Sequence, residues 1–204
     1  MTEALQPLAP LAAGTRALVL GLGRTGLSAA RYLDRKGLTV RVADTRANPP
    51  GADALRSNVP AAELRTGAFS SSLLEDVAQV VISPGLSLQE SIVRTARERG
   101  CPVVGDIELF ALEAPAPIAA ITGTNGKSTV TTLVAEIANA GGRRAVAGGN
   151  LGEPALDLLE RPTPDLYVLE LSSFQLETTY SLRTVASSLP REAAGGARQN
   201  ARCF

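Results

Sequence analysis

Twice along this chain an apolar run ends at a glycine-rich turn and a helical pattern begins at once. "RALVLG" (16–21) runs into "GLGRTG", and "IAAIT" (118–122) runs into "GTNGKST". An apolar strand followed directly by a helix is the first half of a crossover unit, which returns the chain to a parallel neighbour. The same rhythm continues between the two turns. Thr25 to Lys36 reads as a helix stopped by Gly37, "TVRVAD" (39–44) as a strand, and "AQVVIS" (78–83) as another, closed by Pro84 and Gly85. Ser87 to Arg99 has helical spacing ended by Gly100, and "PVVGD" (102–106) is a short strand. Fold class is therefore α/β, with parallel sheets covered by helices.

The stretch "LEAPAP" (112–117) interrupts the rhythm with two prolines and no period, which predicts a linker between two α/β units. The expected layout is a Rossmann-like domain over 1–111, a linker over 112–117, part of a phosphate-loop ATPase-type domain over 118–187, and an aberrant tail over 188–204. In the second domain a helix is expected from Lys127 to Ala140, then strands at "RAVAGGN" (144–150) and "DLYVLELSS" (165–173).

Composition narrows the function classes. Twenty basic residues balance twenty acidic ones, so no field of one sign recruits nucleic acid or an anionic membrane. No apolar stretch approaches the roughly 18 residues of a membrane span, and the start, "MTEALQPLAPLAAG", lacks the positive charge of a secretory signal. Cys101 and Cys203 have no metal-ligand spacing and form no disulfide framework, which points to a reducing cytoplasm. Cys101, just before an apolar strand, is expected to pack as a small hydrophobe. The chain contains no histidine, so by itself it lacks the commonest general base and neutral metal ligand.

Three places carry chemistry. Gly21, Gly23 and Gly26 have the G-x-G-x-x-G spacing between a strand and a helix, and Asp44 ends the following strand. Such glycines admit a tight turn and a phosphate at the helix start, and the acid can take a ribose hydroxyl. A turn required only for packing explains the glycines as well, and the motif does not separate a dinucleotide from a nucleotide-sugar. The second place, Gly123 to Thr129, departs from the standard G-x-x-x-x-G-K-[ST] loop because Ile121 stands where a glycine belongs. Its end is intact: Lys127 can neutralise the outer phosphates and Ser128 can ligate Mg²⁺. A chance turn is the plainer alternative. The third is Glu170, an acid at the end of an apolar strand, able to hold magnesium or merely to be solvated.

With those residues identified, the chain resembles the Mur ligases, ATP-dependent amide-forming enzymes of peptidoglycan precursor synthesis. "GLGRTGLS", "DTR", "SPG", "GDIELF", "AITGTNGKSTVTTLV", "GGNLG" and "YVLELSSFQLETT" occur in that family's order, covering 16 to about 186. The family loop G-T-N-G-K-[ST] also accounts for the missing glycine at 121. The resemblance implies ATP and Mg²⁺ as cofactors, and UDP-N-acetylmuramoyl-L-alanine and D-glutamate as substrates. The UDP-substrate would meet Gly23, Thr25, Asp44, Thr45, Arg46, Ser83, Gly85 and Asn150. ATP would meet Gly123, Thr124, Asn125, Gly126, Lys127, Ser128 and Thr129. Lys127 and Glu170 would be catalytic, and Ser128 and Glu170 would hold the metal. A cytoplasmic monomer is the expected state.

After "SLRTVAS" the family pattern stops. The residues "SLPREAAGGARQNARCF" (188–204) have neither the apolar strand nor the histidine-containing stretch that the resemblance leads one to expect. A shifted reading frame or a genuine short protein with a disordered basic tail would each explain them. The expectation is a truncated, inactive ligase of poor solubility. The competing expectations are a non-catalytic binding module that keeps the UDP-sugar site and, more weakly, a nicotinamide-dependent dehydrogenase.

Overall fold

The computed structural model of the chain describes residues 11–150 and 152–188. Most of the tail, Cys203 and the first ten residues lie outside them, so the expectations for those segments are not addressed by the fold. The chain divides between Asp106 and Ile107 into two compact units.

The first unit is a five-stranded sheet in the order β3-β2-β1-β4-β5. Its strands are β1 (Arg16–Leu20), β2 (Thr39–Asp44), β3 (Glu63–Thr66), β4 (Val77–Ile82) and β5 (Val103–Val104). All are parallel, as the crossover rhythm predicts. Helix α1 (Arg24–Arg35) follows β1, α2 (Ala52–Asn58) follows β2, and α3 (Ser91–Glu98) precedes β5. Leu18, Leu20, Val80, Ile82, Ile92 and Val93 are packed into one buried cluster, with the half-buried Cys101 against it. Burial raises the pKa of the Cys101 thiol, as suits a side chain that packs rather than reacts.

The sequence pattern missed three elements here: α2, β3 and a 3₁₀ turn at Ser71–Leu74. β3 reads "ELRT" and is half-exposed at the sheet edge, so it carries no run of apolar residues to announce it. It is held instead by pairing with β2 and by the Arg41 guanidinium, which donates to the Glu63 carboxylate at 2.8 Å. The helix expected from Ser87 begins only at Ser91, because residues 87–90 form a turn closed by Glu90 N–H on the Ser87 carbonyl.

Helix α4 (Asp106–Glu113) starts at the division and runs from Ile107 onward in the second unit, its last two residues overlapping the segment 112–117 expected as a linker. The boundary between units therefore precedes the prolines. Its physical cause is burial: Ile107 and Phe110 are inaccessible, and the Phe110 ring packs edge-on against Tyr167, centroids 5.0 Å apart. A four-stranded sheet follows in the order β7-β8-β6-β9, formed by β6 (Ile118–Ile121), β7 (Ala145–Gly149), β8 (Leu166–Glu170) and β9 (Ala186–Ser188). Helix α5 (Lys127–Ala140) packs against β6, β7 and β8, and its bounds match the sequence expectation. Two short helices, α6 (Ala155–Leu158) and α7 (Ser173–Leu176), complete the described residues. Along α5, Val130, Leu133 and Ile137 are exposed at i, i+3 and i+7 spacing, an uncovered apolar stripe.

Candidate functional site

In the first sheet the strand order reverses between β1 and β4, the place where open parallel sheets bind ligands at their carboxyl ends. The chain brings Gly21 to Gly26, Asp44 and Ser83 to Gly85 to that end of the sheet, because they directly follow or end β1, β2 and β4. The three glycines turn out to do different work. A Cβ at Gly26 would stand 1.9 Å from the Gly21 carbonyl oxygen, so glycine is required there for α1 to pack against the turn. Gly21 has φ +89°, and its carbonyl accepts a hydrogen bond from Ser83 Oγ at 3.1 Å. Gly23 caps α1, and a Cβ there would meet nothing within 4 Å. Packing thus explains Gly26 and leaves Gly23 as the residue whose bareness opens the helix start.

Asp44 is placed differently from the sequence reading. Its carboxylate is buried, accepting the Leu22 N–H at 2.7 Å and the Arg46 N–H at 2.9 Å. The Arg46 guanidinium donates to both oxygens, at 2.8 and 2.6 Å. The acid expected to take a ribose hydroxyl is therefore engaged in tying the β1 turn to the β2 exit, while Thr45 and Arg46 are exposed beside it. Just past Arg46 a polar cleft of about 420 Å³ is lined by Asn48, Pro49, Asp53, Arg56 and Thr66; no sequence motif announced it.

The Arg46 pairing, opposed by burial and helped by the Leu22 amide, lowers the Asp44 carboxyl from 3.8 to about 2. The unfolded chain takes up this proton first, so the linked stability is complete above about pH 4 and is lost as pH falls toward 2. A shift of this size is worth about 2 kcal/mol. Denaturant unfolding at pH 6 and pH 2.5 is expected to show that loss in the protein and not in Asp44→Asn. Equal pH dependence in both would refute it.

In the second unit the loop after β6 and the end of β8 are neighbours, since Ile121 pairs with Glu170 in the sheet. Gly123 at φ +150° and Gly126 at φ +74° let residues 122–126 curl into the start of α5. Lys127 Nζ donates to the Gly123 carbonyl at 2.8 Å, folding the ammonium back over the loop. Ser128 Oγ donates to Glu170 Oε2 at 2.7 Å, so the two expected metal ligands come together. Thr124, Asn125, Gly126 and Thr129 are exposed along the loop and the first turn of the helix. Asn150, expected at the UDP-substrate, has its amide nitrogen 2.9 Å from Glu170 Oε1 as a donor.

Magnesium fits this pair. It takes hard oxygen donors and characteristically uses one or two protein oxygens alongside phosphate and water. Ser128 Oγ and Glu170 Oε2 supply such donors within one coordination sphere's reach. Among the described residues no group of three or more His, Cys, Asp or Glu side chains gathers into a dedicated cage.

Glu108, in "GDIELF", is not among the residues expected to have a role. It is buried on α4 and accepts the Tyr180 N–H at 2.6 Å, the Ser181 N–H at 2.8 Å and Ser181 Oγ at 2.6 Å. It anchors the segment that leads from α7 toward β9. An acid between Ile107 and Leu109 in a buried helix must find donors, and that was the available signal. Ser172 caps α7 in a capping box with Gln175, so both side chains serve the helix start.

Residues 15–105 match the family described as Mur ligase MurD-like, N-terminal domain. The UDP-N-acetylmuramoylalanine–D-glutamate ligase of Nitrosococcus oceani is 56% identical over 182 residues, which is 89% of this chain and 40% of that protein. The ligase of the same name from Marinobacter nauticus is 52% identical over 174 residues, 85% of this chain and 39% of that protein. This chain thus spans about two fifths of the length of the curated relatives it matches. Two solved structures share the fold. One is the UDP-N-acetylmuramate:L-alanyl-gamma-D-glutamyl-meso-diaminopimelate ligase of Neisseria meningitides, with TM-score 0.56 and 16% identity over 86% of this chain and 60% of that one. The other is the UDP-N-acetylmuramate–alanine ligase of Thermotoga maritima, with TM-score 0.50 and 19% identity over 89% of this chain and 44% of that one. Among the described residues no helix is long and apolar enough to cross a membrane. Seven motifs in order, two parallel sheets each with its glycine turn, and relatives of this identity converge: the chain belongs to the Mur ligase family, and residues 15–105 are its MurD-like N-terminal domain.

Proposed function

We propose that this chain carries the UDP-substrate and ATP sites of a ligase that joins D-glutamate to UDP-N-acetylmuramoyl-L-alanine in peptidoglycan precursor synthesis. The observation that carries it is the convergence of Lys127, Ser128 and Glu170 at the loop that ends β6. Such an enzyme activates a carboxylate by moving the γ-phosphoryl of ATP onto it, and an amine then displaces the phosphate to leave an amide. Charge crowds on the phosphoryl oxygens in the first step, and catalysis there is positioning plus electrostatic stabilisation.

In this assignment the loop amides of Gly123 to Thr129 hold the triphosphate. The Lys127 ammonium swings from the Gly123 carbonyl to the outer phosphates, and Ser128 and Glu170 hold Mg²⁺, which when bound offsets phosphate charge. In the first unit Gly23 and Thr25 accept the substrate at the start of α1, and Ser83 and Gly85 line its diphosphate path. Thr45 and Arg46 meet the uridine end, where the polar cleft past Arg46 leaves room, and Asp44 acts through them. Residues 1–111 are assigned to the UDP-substrate and 118–187 to ATP. A reducing cytoplasm, where Cys101 stays a free thiol, is the compartment.

Calorimetry of the 204-residue chain with UDP-N-acetylmuramoyl-L-alanine tests the assignment. Binding is expected, and its loss in Thr25→Ala or Arg46→Ala would support the named contacts. No binding by a folded chain would end it. For the 204-residue polypeptide alone we propose binding without turnover, since it spans about 40% of the first relative's length and none of its residues is assigned to D-glutamate. Phosphate release on adding ATP, D-glutamate and the UDP-substrate would refute that second statement.

A further inference from the structure

Glu170 is gripped at three points by the end of β7, on the side away from the phosphate loop. Gly149 pairs with Glu170 in the sheet, and the Asn150 N–H donates to the Glu170 carbonyl at 2.8 Å. The Asn150 amide then turns to the carboxylate of the same residue, 2.9 Å from Oε1. Gly149 makes this approach possible, because a Cβ there would stand 2.5 Å from the Glu170 carbonyl oxygen, and its φ is +100°. Glu170 is buried, so its carboxylate has little water to orient it.

From this we infer that Asn150 is a positioning residue for Glu170: its amide holds Oε1 and thereby presents Oε2 toward Ser128 and the metal position. The inference rests on the proposed metal role of Ser128 and Glu170. A carboxylate can rotate about its last bond, and orientations in which neither oxygen faces the cation would withdraw the ligand. One donor on Oε1 removes that freedom. On Oε2 the Ser128 hydroxyl is the partner at 2.7 Å; a cation there would replace its proton as the positive neighbour while the Asn150 contact persists. Polar groups that orient a metal ligand in this manner are characteristically worth about 10- to 100-fold in metal affinity. The alternative for Asn150 is a direct contact with the sugar-nucleotide, which makes a different prediction.

The experiment measures Mn²⁺ binding by electron paramagnetic resonance, on the whole chain with a non-hydrolysable ATP analogue present. Asn150→Ala is expected to weaken Mn²⁺ about tenfold. Asn150→Leu, which keeps the volume and lacks the donor, is expected to do the same and covers the case in which alanine misfolds. On a Glu170→Ala background, Asn150→Ala is expected to add nothing further, because a residue that acts through Glu170 has nothing left to position. Mn²⁺ affinity unchanged in both Asn150 variants but lost in Glu170→Ala would overturn the inference and leave the metal role of Glu170 standing. Mn²⁺ affinity unchanged in Glu170→Ala, or no Mn²⁺ bound at all, would overturn both. Weakened binding of UDP-N-acetylmuramoyl-L-alanine by Asn150→Leu without metal would overturn it in favour of direct substrate contact.

Discussion

Alanine at position 26 is expected to destabilise the first unit by about 3 kcal/mol or more, while alanine at position 23 leaves its stability nearly unchanged. Both residues belong to the same glycine motif, and one methyl group separates the variants. At Gly26 that methyl would stand 1.9 Å from the Gly21 carbonyl oxygen and 2.9 Å from its carbon. These atoms are backbone and follow directly on β1, which is buried in the centre of the sheet, so they cannot step aside. Relief requires α1 to move off the sheet, exposing Ala29, Ala30 and Leu33, which it buries. At Gly23 the same methyl meets nothing within 4 Å, and φ −90° suits any residue. Its effect should appear in binding instead, as weaker affinity for the UDP-substrate whose approach it obstructs. Urea unfolding of both variants and calorimetry on Gly23→Ala check the pair. A Gly26→Ala protein that melts with the wild type would show that the turn has slack the geometry does not suggest.

Lys127→Ala is expected to weaken ATP binding by about 10- to 100-fold, with no comparable change in thermal stability, on the scale of a charge-assisted contact to phosphate. The ammonium's hydrogen bond to the Gly123 carbonyl is local, four residues back along the chain, and little of the fold depends on it. In the phosphate-bound state it would exchange that carbonyl for phosphate oxygens. The loop amides remain in the variant, so binding falls without vanishing. Lys127→Arg keeps the charge but broadens it into a planar fork, and is expected to recover only part of the affinity. Fluorescence titration with a labelled ATP analogue reads both. Equal affinity in wild type and Lys127→Ala would remove Lys127 from the phosphate site and leave the loop as a turn.

Much of this molecule was legible before folding. β2 and α5 have the bounds that apolar runs and caps predict, and the loop between β6 and α5 lies where its glycines indicate. These elements are read well because their signals are local: period, glycine and the lysine–serine pair stand within a few residues of one another. The misses share the opposite cause. β3 pairs as an exposed edge strand and has no apolar alternation, so only its partner β2 defines it. Helix α4 looked like the approach to a proline linker, until Phe110 met Tyr167.

What the sequence determined by itself is the parallel α/β architecture, the family and the identity of the chemical groups. What only the tertiary structure decided is whom each group faces. Asp44 turns inward to Leu22 and Arg46, Glu108 reaches Tyr180 and Ser181, and Asn150 takes one oxygen of Glu170 while Ser128 takes the other. Most of these partners are distant along the chain, and no periodicity relates them. The physical reason is that a buried polar group must be hydrogen-bonded by whatever the packing brings to it, and packing is a property of the assembled sheets rather than of any one segment.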